Sequence, residues 1–153
     1  MINNDSGSEF CTCRVGPLLL GIEVSEVQEV LFQSDYTTIP RTDRRIAGLI
    51  NLRGQIATAI DLRIRLGVEP TEHNENVHIV VRHQGEPVSL MVDAIGDVIA
   101  VPKDAFEPPP ETLTGVAKEL ITGAYKLDNE LLLSLDANRT ITGSAGSFLE
   151  STR

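Results

Sequence analysis

The chain of 153 residues carries 13 Lys and Arg against 22 Asp and Glu, which gives a formal net charge of −9 at pH 7. Because nucleic acids and anionic lipid surfaces are recognised by dense fields of Lys and Arg, this charge excludes both as main partners. No stretch approaches the roughly 18 apolar residues of a membrane-spanning helix, and the polar N-terminus lacks the basic region of a secretory signal. We therefore expect a cytoplasmic protein that does not insert directly into a membrane.

Short β-strands separated by turn residues are predicted along most of the chain, beginning near Phe10. Residues 20–24 alternate apolar side chains with small or polar ones, which is the period of a half-buried strand. Leu62 and Leu66, four residues apart and followed by Gly67, predict one short helix. Because almost no long segment has a helical period, the predicted fold class is all-β, with two small barrels and short helices.

The length allows one ordinary domain or two very small ones. A unit of about 60 residues buries only roughly 60 % of its unfolded surface, so each half would be marginally stable alone. We expect one cooperative fold built from two subdomains, between which strands can be exchanged. The expected boundaries are a disordered N-terminus at 1–8, a β domain at 9–141 with subdomains at about 16–68 and 77–136, and a flexible tail at 142–153.

The two halves of the chain look like diverged copies of one strand-turn-strand pattern. Residues 46–61 match residues 121–136 at an offset of 75, and residues 20–30 match residues 88–98 at an offset of 68. Such a repeat predicts two similar β units that cover each other's apolar faces and leave a seam where partners can dock. The first match aligns three pairs of residues: Gly48 with Gly123, Gly54 with Asn129, and Asp61 with Asp136.

Candidate catalytic and metal-binding residues do not converge in the sequence. His73, His78 and His83 recur every five residues, so neighbouring members would point to opposite faces of a strand. No Cys-x-x-Cys spacing indicates zinc, and no glycine-rich phosphate loop or nucleophile elbow is present. Cys11 and Cys13, close together on one strand, are expected to be reduced and buried. We predict no catalysis, no cofactor and no metal; a small β-barrel hydrolase or metal-dependent enzyme that uses the histidines is the competing interpretation.

The segment Asn51-Leu52-Arg53-Gly54 supports two interpretations. In the first it is only a tight turn, in which Arg53 is a solvated charge. In the second, Arg53 lies in the groove between the subdomains, where it pairs with the carboxylate of Glu29 and orients a docking surface. An exposed pair of this kind stabilises the fold by about 0–1 kcal/mol, whereas removing one partner of a buried pair costs about 3–5 kcal/mol.

Five motifs follow one another in a characteristic order along the chain. They are Val27-Gln28-Glu29-Val30, Ile46 to Gly54, Ile60-Asp61-Leu62-Arg63, Val92-Asp93 and Leu120-Ile121-Thr122-Gly123. Together they resemble the CheW-like domain family, which contains the coupling proteins of bacterial chemotaxis. The resemblance covers about residues 9–141, and the Asn-Leu-Arg-Gly segment is its most specific motif.

The resemblance implies two five-stranded SH3- or OB-like barrels in a swapped tandem arrangement, and no catalysis. It implies two partners, the cytoplasmic tip of a methyl-accepting chemotaxis receptor and the regulatory domain of the histidine kinase CheA. The receptor tip would dock in the groove between the subdomains, and the protein would be recruited to receptor arrays at the inner membrane. A scaffold of a non-chemotactic array, for twitching motility or biofilm signalling, is the alternative within the same family.

The resemblance also assigns roles to individual residues. The receptor-facing groove or its support comprises Val27, Glu29, Asn51, Leu52, Arg53, Gly54, Val92 and Ile95. Three residues are expected to serve structural turns: Gly48, Asp61 and Gly123. The kinase-facing surface has no sharp motif and stays unassigned.

Overall fold

The structure is a computed structural model that describes residues 7–32, 37–39, 48–68 and 77–142. These residues form twelve strands and three short α-helices. The strands are β1 (Ser8–Val15), β2 (Leu18–Glu23), β3 (Val27–Leu31), β4 (Thr37–Ile39), β5 (Gly48–Leu52), β6 (Gln55–Asp61), β7 (Val77–His83), β8 (Glu86–Val92), β9 (Ala94–Val101), β10 (Phe106–Glu107), β11 (Ile121–Lys126) and β12 (Leu131–Leu135). The helices are α1 (Leu62–Leu66), α2 (Gly115–Leu120) and α3 (Ala137–Thr142), and single 3-10 turns cover Val24–Glu26 and Lys103–Ala105.

The expected terminal segments and the expected subdomain junction lie almost entirely outside the described residues. Two boundaries shift, because Ser8 already belongs to β1 and Thr142 is the last residue of α3. The described strands and helices therefore include one residue beyond each end of the predicted range 9–141. The junction at 69–76, which includes His73, is not among the described residues.

The strands form two six-stranded sheets, and each sheet contains strands from both halves of the chain. The first sheet has the order β10-β11-β12-β2-β1-β9, and the second has the order β3-β7-β8-β6-β5-β4. Neighbouring strands are antiparallel, except that β12 runs parallel to β2 and β6 runs parallel to β8. Each sheet has five longer strands and one short edge strand, which is β10 with two residues or β4 with three. The predicted all-β class is confirmed, with one short strand more in each sheet than the five expected.

The internal repeat is present in the register of the strands. The hairpin β5–β6 pairs Gly48 with Ala59, and the hairpin β11–β12 pairs Gly123 with Ser134, each residue 75 positions later. The parallel pairs agree as well: β6–β8 pairs Ala59 with Ser89, and β12–β2 pairs the equivalent residues Ser134 and Gly21. The β3–β7 pair and the β1–β9 pair each contain a register shift, and the two shifts lie at equivalent positions of the repeat. Residues at these offsets therefore occupy equivalent positions in the two sheets.

Buried apolar side chains form three clusters. The largest contains residues from both sheets, including Ile22 on β2 and Leu90 on β8, and fills the space between them. The other two clusters are each confined to one sheet. In the second sheet, Leu31 on β3 and Ile50 on β5 share a cluster, although three other strands lie between β3 and β5 in the strand order. Each sheet therefore curls into a barrel around its own core, and the barrels pack side by side through the largest cluster.

The repeat also explains how the short helices begin. Asp61 at the end of β6 caps α1, because its Oδ1 accepts a hydrogen bond from Arg63 N at 2.9 Å. Asp136 has the same role before α3, where its Oδ1 accepts from Arg139 N at 2.9 Å. Gly67, with a φ of 72°, ends α1 in the left-handed conformation. The predicted helix is confirmed, and Asp61 acts as its N-cap.

Two glycines predicted at turns lie inside strands instead. Gly48 begins β5, and Gly123 lies within β11. Gly123 is required by packing, because a Cβ at this position would collide with the ring of Phe106. The tight turns lie at Arg53-Gly54 and Gln84-Gly85, where both residues of each pair have positive φ.

Candidate docking surface

The ion pair anticipated between Arg53 and Glu29 is present in the structure. Nη2 of Arg53 lies 3.0 Å from Oε1 of Glu29, and Nη1 lies 3.5 Å from Oε2. The Arg53 side chain is 77 % exposed and that of Glu29 is 22 % exposed. At this exposure the pair contributes about 0–1 kcal/mol to stability. Its main effect is therefore to fix the position of the Arg53 charge on the surface, and the fold depends little on it.

The hairpin turn between β5 and β6 holds Arg53 in place. Arg53 and Gly54 have φ values of 53° and 88°, the left-handed geometry of a two-residue hairpin turn. Oδ1 of Asn51 accepts a hydrogen bond from Gly54 N at 2.8 Å and fixes the turn from one side. The segment is therefore a tight turn and also presents a paired arginine.

The Arg53–Glu29 pair joins two parts of the second sheet that are distant in strand order. Glu29 lies on the edge strand β3, and two strands, β7 and β8, separate it from the β5–β6 hairpin that carries Arg53. The pair therefore spans the place where this barrel closes.

The remaining predicted groove residues differ in exposure. Val27 and Ile95 are partly buried against the central cluster. Val92 and Leu52 are only 2 % and 7 % exposed, so in this structure they support the surface from beneath.

A groove opens next to β3, at the junction between the second sheet and α3. Its volume is about 400 Å³. Val81 and Ile141, each 1 % exposed, form its apolar floor, Val27 is partly buried, and Ser25 and Asn138 are short, exposed polar side chains at the same opening. We call this feature the α3 groove; its other lining residues are Glu26, Gln28, Arg82 and Ala137. Val27 is thus the predicted groove residue that lines an open cavity.

The equivalent place in the other copy of the repeat lies beside α1, and we call it the α1 junction. Here Asp93 stands at the position of Ser25, and Arg63 at the position of Asn138. Nε of Arg63 lies 3.2 Å from Oδ1 of Asp93 and 3.8 Å from Oδ1 of Asp61. Oδ2 of Asp93 also accepts a hydrogen bond from Gly16 N at 2.7 Å. The side chains of Arg63 and Asp93 are 15 % and 8 % exposed, so a partly buried ion pair occupies this junction.

Ser25 and Asn138 were not among the predicted groove residues. The repeat carried the signal that could have found them, because alignment with Asp93 and Arg63 shows that one copy lacks the two charged residues of the other. A change from two charged residues to two short polar residues at equivalent sites predicts open space in that copy.

The histidines do not form a catalytic or metal site among the described residues. His78 is 1 % exposed and its Nδ1 contacts the hydroxyl of Ser89. Burial lowers the pKa of His78 to about 4, so its imidazole is neutral near pH 7. His83 lies at the far end of β7, and the described ranges contain no group of three His, Cys, Asp or Glu that could hold a metal ion. Cys11 and Cys13 are free and buried, and burial raises the pKa of the Cys13 thiol.

Known proteins share this architecture and sequence. The CheW-like domain family matches residues 9–144 of the chain. "Chemotaxis protein CheW" of Klebsiella aerogenes is 29 % identical over 145 residues, which cover 94 % of this chain and 87 % of the relative. "Chemotaxis protein CheW" of Bacillus subtilis is 31 % identical over 137 residues, which cover 89 % and 88 %. The crystal structure of scaffolding protein TtCheW from Thermoanaerobacter tengcongensis matches with a TM-score of 0.78 and 28 % identity, covering 94 % of this chain and 98 % of that one.

The twin barrels, the Asn-Leu-Arg-Gly hairpin and these matches define the class of protein. The chain belongs to the CheW-like domain family. This confirms the resemblance drawn from the sequence motifs. The relatives named above are described as chemotaxis or scaffolding proteins, and their descriptions indicate no catalytic activity. None of the described helices is long and apolar enough to cross a bilayer.

Proposed function

We propose that this protein is a non-enzymatic adaptor that couples methyl-accepting chemotaxis receptors to the histidine kinase CheA within receptor arrays at the inner membrane. Family membership and the likeness to a scaffolding protein support an adaptor role. The observation that carries the proposal is the surface along β3, which contributes Val27 to the α3 groove and Glu29 to the ion pair with the exposed Arg53.

In this proposal the receptor tip docks in the α3 groove. Helical partners typically lay an apolar face into an apolar groove and use polar contacts at its rim for orientation. Val27, which is partly buried, supplies apolar surface above the buried floor of Val81 and Ile141, and all three belong to or pack against the central core that joins the barrels. The Arg53–Glu29 pair lies further along β3 and supplies the orienting charges.

The kinase regulatory domain binds a different face in this proposal. Coupling then requires that the adaptor hold the kinase differently in the two signalling states of the receptor, since tethering alone transmits no state. The groove is lined by residues whose neighbours form the shared core of both barrels, so a change at the groove reaches both sheets through packed side chains.

A pull-down tests the proposal directly. The full chain is mixed with immobilised receptor tip and, separately, with immobilised kinase regulatory domain at about 10–50 μM, a range in which modest protein–protein affinities are detected. We expect retention on both, and a complex of all three when the partners are combined. Retention on neither would show that the adaptor function is wrong.

A further inference from the structure

A second cavity, of about 220 Å³, lies on the first sheet and is lined by both aromatic and acidic side chains. Its aromatic residues are Phe10, Phe106 and Tyr125, and its carboxylates are those of Glu23, Glu26 and Asp136. We call it the aromatic–acidic pocket. The residues that line it come from widely separated parts of the chain. The first sheet brings most of them together, because β1, β2, β10, β11 and β12 all belong to it.

The three rings form a fixed group. The centroids of Phe10 and Tyr125 lie 5.3 Å apart at an interplanar angle of 51°. Phe106 and Tyr125 lie 5.6 Å apart in an edge-to-face arrangement of 70°. The close approach of Phe106 depends on Gly123, whose missing side chain leaves room for the ring. Phe106 is 49 % exposed, so ring surface stays open to a ligand.

Tyr125 adds a phenol to the lining of the pocket. The residue as a whole is 8 % exposed, but its hydroxyl is not one of the buried side-chain atoms that lack a partner among the described residues. Burial, followed by the nearby charge of Glu23, raises the pKa of Tyr125. A hydroxyl that water can reach is able to exchange its bond to water for one to a ligand that enters the pocket.

The carboxylates create a local excess of negative charge. Burial, followed by the charges of Glu23 and Asp136, raises the pKa of Glu26. None of the described residues that line the cavity is a lysine or arginine. Arg139 lies 3.8 Å from Asp136, but it is 65 % exposed and its Nη1 donates to Glu119 O. A cation in the pocket would relieve this repulsion.

We propose that the aromatic–acidic pocket binds an arginine side chain of a partner protein. A guanidinium is planar and weakly hydrated, so it stacks on aromatic faces while its N–H groups donate to carboxylates in a forked geometry. Phe106 and Tyr125 supply the ring surface, and Glu26 and Asp136 supply the acceptors. This inference does not rest on the proposed receptor and kinase partners.

The other copy of the repeat lacks these features. Ile50 stands at the position of Tyr125, Met91 at that of Glu23, and Ala94 at that of Glu26. Tyr125, Glu23 and Glu26 therefore have no aromatic or acidic counterpart in the other copy, whereas Asp136 corresponds to the helix cap Asp61. Their presence in one copy favours a binding role over a structural one.

The test uses the full chain and a blocked tripeptide with a central arginine, followed by NMR of the aromatic ring signals. A tripeptide with citrulline at the centre is the matched probe, since it keeps the shape and loses the charge. We expect saturable shifts of the Phe106 and Tyr125 signals with the arginine peptide, and binding about tenfold weaker with the citrulline peptide.

Two variants of the pocket sharpen the test. Phe106→Leu and Glu26→Gln should each weaken binding of the arginine peptide about three- to fivefold. Phe32→Leu and Glu86→Gln are matched controls, because Phe32 is 48 % exposed and Glu86 is also exposed, and neither lines the pocket. The controls should bind as the parent does.

Several outcomes would overturn the inference. These are no saturable shift, equal affinity for the two peptides, or equal losses in the pocket variants and the controls. Spermidine, a flexible ammonium cation, is the third probe; tighter binding of spermidine than of the arginine peptide would show that the pocket takes a free polyamine and not an arginine side chain. Because Glu26→Gln changes one exposed carboxylate, it stays informative if Phe106→Leu fails to fold.

Discussion

The α1 junction and the α3 groove occupy equivalent places in the two copies of the repeat, yet the first is closed by an ion pair and the second is open. Asp93 and Arg63 fill the α1 junction with a contact of 3.2 Å. Ser25 and Asn138 stand at the same positions beside α3, where a cavity of about 400 Å³ remains. In the proposed function, the junction with the ion pair is architectural and the junction without it binds the partner.

The residues that both copies share are those that build the fold. Asp61 and Asp136 cap the helices α1 and α3 in the same way. The strand registers of the two hairpins also agree. The groove, the Arg53–Glu29 pair and most of the aromatic–acidic pocket lie at positions where the two copies differ. We therefore look for function where the symmetry of the repeat is broken.

The largest expected effect comes from opening the closed junction. Asp93→Ala removes the carboxylate from a partly buried arginine and leaves Gly16 N without its acceptor. We expect the free energy of unfolding to fall by about 3–5 kcal/mol. Ser25→Ala, at the equivalent position in the open copy, should change it by less than about 0.5 kcal/mol. Urea denaturation of both variants measures the difference, and equal losses would contradict the assignment of one junction as architectural.

A second contrast concerns the buried pair His78–Ser89, which stands where the first sheet has Phe10 and Gly21. The pKa of His78 is lowered from 6.5 to about 4 in the folded state. Between these values the unfolded chain binds more protons than the folded chain. Stability from this group is therefore complete above pH 6.5 and is lost as the pH falls towards 4, by about 3 kcal/mol in total.

The double variant His78→Phe with Ser89→Gly copies the pair found in the first sheet and removes the titrating group. Urea denaturation at pH 7, 6, 5 and 4.5 should show a smaller loss of stability on acidification for this variant than for the parent chain. Parallel curves for the two proteins would mean that His78 does not contribute to acid sensitivity.

The third prediction concerns a double variant in which charged side chains fill the α3 groove. Ser25→Asp combined with Asn138→Arg introduces in the α3 groove the two charged residues that fill the α1 junction. If the receptor tip docks there, its dissociation constant should rise about tenfold, which is about 1.4 kcal/mol, while the free energy of unfolding stays unchanged or increases. Isothermal titration calorimetry with the receptor tip measures this. Ser25→Ala with Asn138→Ala is the control that keeps the groove open; unchanged affinity in the filled variant would place the receptor elsewhere.

The sequence predicted the features that depend on short-range pattern. Alternation predicted the strands, and the turn residues Arg53 and Gly54 were found because left-handed geometry has a local signature. The repeat could be read from the sequence because equivalent strands need similar apolar spacing. The pairing of Arg53 with Glu29 was anticipated from the second interpretation of the Asn51-Leu52-Arg53-Gly54 segment.

The rest depended on contacts between distant parts of the chain. Gly123 looked like a turn residue, since glycine often marks turns, but its role is to admit the ring of Phe106 from another strand. The aromatic–acidic pocket combines residues from Phe10 to Asp136, and no local pattern joins them. Val92 was expected near a surface but is buried, because a strand between two cores has apolar surroundings on both faces.

The smallest effect on stability is expected at Arg53, where the two copies differ most in charge. The positions equivalent to Arg53 and Glu29 are Asp128 and Asp97, so only the second sheet carries an ion pair at this place. Arg53→Glu should lower the free energy of unfolding by no more than about 1 kcal/mol, because the arginine side chain is 77 % exposed. In the proposed function it should weaken receptor binding at least about fivefold, since a reversed charge at a rim opposes the partner. Arg14→Glu, which reverses the exposed pair between Arg14 and Glu130 in the other barrel, is the matched control and should leave receptor binding unchanged. A large drop in melting temperature for Arg53→Glu would instead show that the pair closes the barrel. An exposed ion pair contributes no more than about 1 kcal/mol, so a larger loss of stability would require a structural role for Arg53.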